Sequence, residues 1–209
     1  TPKPSSAASD VYKRQLVVLF GSFNEFFLTV FNLQNIMVQA TVLGMLGLAV
    51  ALPLLVAEID LSIPANLGFS SAIGALAYSD LGLPWFVAML IGVGVATAIG
   101  FFNGLCITRL RMVSLIETLA MMIILQGALL ALTQGKTLTN LSDGYIWIGQ
   151  ATIGGWPVMP LVFVVALIAM GIMLTRTVLG RSIYAVGGNA VASSAAGIRV
   201  ARTKVIAYT

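Results

Sequence analysis

Three stretches of this chain, Ile36–Val56, Trp85–Leu105 and Pro157–Thr175, contain no charged residue. Each approaches or exceeds the ~20 residues that an α-helix needs to cross the ~30 Å hydrocarbon core of a bilayer. In lipid every backbone N–H and C=O must be satisfied internally, so such runs fold as helices. Charged residues make up only 9% of the chain against 59% hydrophobic, where soluble domains carry roughly one quarter charged. The expected fold class is therefore all-α, a polytopic transmembrane helical bundle. Spans are expected at about 36–56, 65–79, 85–105, 114–132 and 157–175. An apolar stub at Leu16–Phe20 and a further start at Val205–Thr209 make the chain read as a bundle truncated at both ends.

The few charges orient these spans. The 11 bases outnumber the 7 acids, but they sit in short loops, so they are topology signals rather than a nucleic-acid footprint. Arg109 and Arg111 mark one cytoplasmic loop, and Arg176, Arg181, Arg199, Arg202 and Lys204 mark another. Asn24–Asn35, Asp80 and Lys136 then fall outside, and Glu58 inside. One cysteine, Cys106, excludes an internal disulfide. The absence of histidine removes His-based catalysis and His metal ligands, and no catalytic or metal-binding set is expected. Gly135-Lys136-Thr137 resembles the end of a phosphate-binding loop, but Leu130 stands where its first glycine belongs. Asn140-Leu141-Ser142 is a glycosylation sequon of the kind that arises by chance.

In chain order, residues 1–15 are polar and lack an apolar period; they read as a non-native or disordered leader, with a cytoplasmic tail as the alternative. Residues 16–209 form the transmembrane part. Phe26–Asn35 reads as an interfacial segment with aromatics at headgroup level. After the 36–56 span comes Glu58-Ile59-Asp60-Leu61-Ser62, and the following apolar run, Ala65–Ala77, is short for a span. This points to a break at membrane depth, tolerated only where it is buried or lines a cavity. Acids there are functional candidates; the compatible alternative is that Asp60 and Ser62 cap the next helix. Gly92, Ala96, Gly100 and Gly104 recur every four residues and form a face for close helix approach. Glu117 lies in the first turn of its span, favourable for the helix dipole and near the cytoplasmic surface. Gln134–Gly155 reads as a polar external loop.

Residues 184–204, YAVGGNAVASSAAGIRVARTK, turn small, polar and basic. Asn189 suits an N-cap and Gly197 a left-handed C′ position, which frames a helix of about two turns over Ala190–Ala196. So short a helix needs docking to persist. The plain alternative is an ordinary cytoplasmic loop.

This stretch resembles the coupling loop of ABC importer permeases. The Glu-Ala-Ala-x-x-x-Gly pattern of those loops maps onto Val191-Ala192-Ser193-x-x-x-Gly197, with Ala190 and Val191 where the family has acids. The Gly-Arg-x-x-Tyr-Ala-x-Gly-Gly-Asn run of the ribose/xylose/arabinose (monosaccharide) permeases is present as Gly180–Asn189. Glu25–Asn35 fits the run after that family's first span, with Phe26 in place of Asn. Ile59-Asp60-Leu61-Ser62 keeps the middle of Gly-Gly-Ile-Asp-Leu-Ser-x-Gly, with Ala57, Glu58 and Pro64 replacing glycines. Phe101–Gly104 fits Phe-x-Asn-Gly, and Leu115–Leu119 departs from Phe-Ile-Ala-Thr-Leu at Glu117.

The resemblance implies a permease of a bacterial plasma (inner) membrane importer, not an enzyme. ATP and Mg would belong to a separate cytoplasmic ABC ATPase. The other implied partners are an external sugar-binding protein and a second permease copy. It implies ATPase coupling through Gly187, Gly188, Asn189, Ala192, Ser193 and Gly197, and a substrate path at Asp60, Ser62 and Asn66. A reading from another class is an ion-coupled secondary transporter using Glu58 or Asp60 as proton carrier. A membrane-embedded enzyme finds no nucleophile–base set in the sequence.

Overall fold

The structure, a computed structural model, describes residues 4–138, 141 and 143–209; Asn140 and Ser142 of the sequon lie outside them. Its helices are α1 Pro4–Phe23, α2 Val30–Leu55, α3 Ile63–Ser79, α4 Trp85–Arg109 and α5 Ser114–Thr133. Then come α6 Asp143–Gln150, the strands β1 Thr152–Ile153 and β2 Trp156–Pro157, α7 Met159–Arg176, α8 Val178–Gly188, α9 Ala190–Ala195 and α10 Val200–Tyr208. The chain is all-α apart from that small hairpin.

Among the described residues, four helices are long and apolar enough to cross a membrane: α2, α4, α5 and α7. The expected span at 65–79 is α3, only 17 residues long. At ~1.5 Å per residue it reaches ~26 Å, short of the hydrocarbon core. The missing depth falls on residues 56–62, which are non-helical as the break predicts.

Three local expectations are corrected. Residues 30–35, read as interfacial, belong to α2, because Thr29 caps that helix by accepting from the Asn32 amide (3.3 Å). The leader and the apolar stub join in α1, helical from Pro4, in keeping with the Ala, Lys, Arg, Gln and Leu content of the segment. The loop read as external, 134–155, contains α6 and leads into a two-stranded hairpin in which Thr152 pairs with Pro157 and Ile153 with Trp156. Gly154 and Gly155 both have positive φ, as its two-residue turn requires.

Two packing units position the site. In one, α3 lies against α4 and α5, and α10 crosses the C-terminal half of α4. The spaced small residues of α4 form both interfaces. A Cβ on Gly92 would approach the Ser70 carbonyl of α3, and Cβ atoms on Gly100 and Gly104 would collide with Tyr208 and Val205 of α10. In the other, α2 packs against α7 and α8. A cluster of Val56, Ile183, Val186 and Ala207 joins the two units beneath the end of α2. No residue of α7 is buried, which leaves its apolar surface for lipid or another chain.

Candidate functional site

The break owes its shape to how α2 ends. Pro53 lies in the last turn, and the amides of Ala57 and Glu58 turn back to the carbonyls of Leu54 and Pro53 (both 3.0 Å). This is a Schellman closure, whose C′ residue normally is glycine. Here Ala57 occupies it at φ 59°. Residues 58–62 then continue without regular structure, burying Asp60 and Ser62 and leaving Ile59 and Leu61 exposed.

Side chains of α5 and α10 take up the hydrogen bonds that a helix would have supplied. The Ile59 amide donates to Ser114 Oγ (3.3 Å) and the Leu61 amide to Thr118 Oγ1 (3.1 Å). The Ile59 carbonyl accepts from Tyr208 Oη (3.3 Å). Asp60 Oδ1 accepts from both the Ser62 amide (2.8 Å) and Ser62 Oγ (2.6 Å). The expected capping is therefore corrected: Ser62 sits at the N-cap of α3 without capping it through its side chain. Its hydroxyl is committed to Asp60, and Asp60 holds the turn before the helix.

Asn103 and Glu117 complete a buried polar cluster. The side-chain amide of Asn103 lies between Ser62 Oγ (2.9 Å) and Glu117 Oε1 (3.2 Å) and bridges the two. Asn103 and Thr118 are wholly buried, and Asp60, Ser62 and Glu117 nearly so. Sequence reasoning placed Glu117 near the surface and gave it no role. The structure instead turns it inward, 4% exposed, with Oε2 unpartnered among the described residues. The missed signal was spacing: Ser114, Glu117 and Thr118 share one face of α5 at positions i, i+3 and i+4. Asn66 does not join this cluster; its Nδ2 donates to the Ala96 carbonyl (3.1 Å) and ties α3 to α4.

In the basic segment following α7, α9 is framed by Asn189 and Gly197 as the sequence predicts, while α8 and the start of α10 at Val200 are not marked there. Thr177 Oγ1 accepts from the Gly180 amide (3.1 Å) and starts α8. A Cβ on Gly180 would strike the Leu174 carbonyl, and one on Gly187 the Leu55 carbonyl, so both glycines permit close backbone approach. Asn189 Oδ1 caps α9 by accepting from the Ala192 amide (2.9 Å). At the other end the Gly197 amide bonds the Ser194 carbonyl and the Ile198 amide the Ser193 carbonyl (both 3.0 Å), with Gly197 at φ 85°. This is a second Schellman closure.

Two expectations about this segment change. Ser193, one of the residues implied in ATPase coupling, is buried. The surface of α9 left open comprises Val191, Ala192, Ser194 and Ala195. No acid is near these bases in sequence, but in space Lys204 forms an ion pair with Glu58. The segment is thereby tied to the break at two points, through Lys204 to Glu58 and through Tyr208 to Ile59.

Known proteins match the sequence along most of the chain. Residues 32–209 match the family described as "Branched-chain amino acid transport system / permease component". The ribose import permease protein RbsC of Bacillus subtilis (strain 168) is 33% identical over 196 residues, 93% of this chain and 61% of the relative. RbsC of Escherichia coli (strain K12) is 32% identical over 200 residues, with the same coverage. The D-allose transport system permease protein AlsC of that organism is 36% identical over 191 residues, 88% of this chain and 57% of the relative. The chain thus spans about three fifths of the length of these curated relatives. No solved structure matches. The family match and the four spanning-length helices agree: this chain belongs to the permease-component family of bacterial inner-membrane transport systems.

Proposed function

We propose that the chain is the membrane-spanning part of a permease subunit in an ATP-driven ABC importer of monosaccharides. The names of its relatives support the substrate class: ribose and allose permeases, and an L-arabinose ABC transporter permease of Azospirillum brasilense at 31% identity. In this reading ATP and Mg bind a separate cytoplasmic ATPase, and this subunit catalyses no chemistry. A sugar-binding protein delivers substrate from outside, and a second permease copy completes the path.

One observation carries the mechanism: α9 presents an open face while the helix after it is anchored to the buried break. A push on α9 passes to α10 through the short 196–199 link. It reaches the break through Lys204–Glu58 and Tyr208–Ile59, and α2 through the contact of Gly187 with Leu55. The cluster of Asp60, Ser62, Asn103 and Glu117 then acts as a plug whose hydrogen bonds exchange as the path alternates. The ion-coupled alternative is not favoured, because Glu58 is occupied by Lys204 and Asp60 by Ser62.

The test is Gly197→Val in the full-length permease with its ATPase. A Cβ there meets no atom, but φ 85° disfavours any branched side chain by ~1–2 kcal/mol. Sugar uptake and transport-stimulated ATP hydrolysis should both fall, with sugar binding by the external protein retained. Normal uptake by this variant would remove α9 as the coupling element.

A further inference from the structure

The seam between α3 and α5 has an open groove at the end opposite the break, with a volume of about 630 Å3. That lies within the ~300–1,000 Å3 of small-molecule sites. One wall is the small-residue face of α3, Gly68, Ala72 and Ala75, which makes the room. Polar groups stand around it: Ser71, Gln126, Thr133, Lys136, Thr137 and Tyr145. At the other end of the same two helices the seam is closed by Ser62, Thr118 and the break.

Gln126 decides what this groove can hold. It lies well inside a 20-residue helix of membrane-spanning character, yet its side chain is exposed. That side chain makes no hydrogen bond to any described residue. Polar side chains within a span face a bundle interior or a water-filled cavity, because hydrocarbon offers them no partner. The hydroxyls of Ser71 and Thr133 donate to their own helices, to Gly68 (3.0 Å) and Leu129 (2.9 Å), which leaves their oxygens as acceptors. Gln126 and Lys136 supply donors. Such mixed donors and acceptors, the Lys136 ammonium among them, beside an aromatic ring suit a compact polyhydroxylated molecule and not an acyl chain.

We propose that the α3–α5 groove is the outward-facing vestibule of the permease and binds a monosaccharide, with Gln126 as its principal hydrogen-bonding residue. This rests on the importer reading above and on the outward placement of Lys136 that the base distribution predicts. The plug at Asp60 and Ser62 then closes the inner end of the same seam, so the loaded sugar waits above the element that α10 moves.

The test uses the full-length permease with its ATPase and binding protein in phosphatidylethanolamine/phosphatidylglycerol vesicles. Gln126→Cys should react with a charged, membrane-impermeant thiol reagent from the outer side, and D-ribose, D-allose or L-arabinose should slow the reaction. Ile124→Cys, on the exposed apolar side of α5, should not react. Gln126→Leu should lower uptake of the protective sugar about tenfold, and Gln126→Asn should restore part of it. Absence of labelling at 126, labelling that no sugar slows, or full uptake by Gln126→Leu would overturn the vestibule and leave the importer reading standing. Failure of the unmodified complex to take up any of these sugars would overturn both.

Discussion

The ammonium of Lys204 pairs with the carboxylate of Glu58 across 146 positions of sequence. Both side chains are largely buried, at 21% and 14% exposure, so their desolvation is offset only while they face each other. Lys204 lies in the last helix and Glu58 in the break. A charge that sequence alone makes a cytoplasmic topology signal is thus a strut under the membrane break.

A double-mutant cycle tests the strut. Glu58→Gln and Lys204→Met should each lower the thermal unfolding midpoint of the detergent-solubilised full-length protein. Together they should cost less than the sum, with a coupling of ~0.5–3 kcal/mol. Additive effects would mean that the two groups act independently.

Asn103 is the centre of the buried cluster. Asn103→Leu should destabilise by ~1–3 kcal/mol, because Ser62 and Glu117 lose a partner in a site that water does not reach. Thr97→Val, at an exposed position of the same helix, should leave the midpoint within error. Equal effects of the two substitutions would argue against the network.

The glycines sort by what a Cβ would meet. Gly100→Ala and Gly187→Ala drive a methyl into the backbones of Tyr208 and Leu55, and overpacking of this kind costs ~1–3 kcal/mol. Gly94→Ala and Gly188→Ala enter open space and should be neutral or slightly stabilising, since alanine favours helix. Thermal unfolding of the four variants should divide them into those two pairs.

Ala57 holds a left-handed conformation that glycine adopts freely. Ala57→Gly should therefore stabilise by about 1 kcal/mol, reduced by the added freedom of the unfolded chain. A loss of stability would show that the alanine methyl packs more favourably than its backbone is strained.

The helices and the α9 segment were legible in the sequence because local chemistry sets them. Uncharged length marks α2, α4 and α7, and Asn189 and Gly197 frame α9 before any packing is known. The break was legible as an interruption at Glu58–Pro64. Its interior was not, because the partners of Ile59, Leu61 and Ser62 are Ser114, Thr118, Tyr208 and Asn103, which only tertiary folding brings together. Ser193 was misplaced for the same reason: a two-turn helix of small residues has no apolar stripe to say which side faces in. The hairpin at Thr152–Pro157 escaped notice although Gly154-Gly155 is a recognised turn pair, since two-residue strands carry no alternation to read.

The most direct test of the central claim is site-specific crosslinking from α9. Val191 is 81% exposed, so a cysteine there should leave the fold unchanged and lie at the ATPase surface. In the full-length permease assembled with its ATPase, Val191→Cys should crosslink to that subunit through a short bifunctional thiol reagent, with a yield that changes when ATP is bound. Ser182→Cys, on the outside of α8, should crosslink far less. Efficient crosslinking at 182 with none at 191 in any nucleotide state would contradict the assignment of α9 as the element through which ATP drives transport.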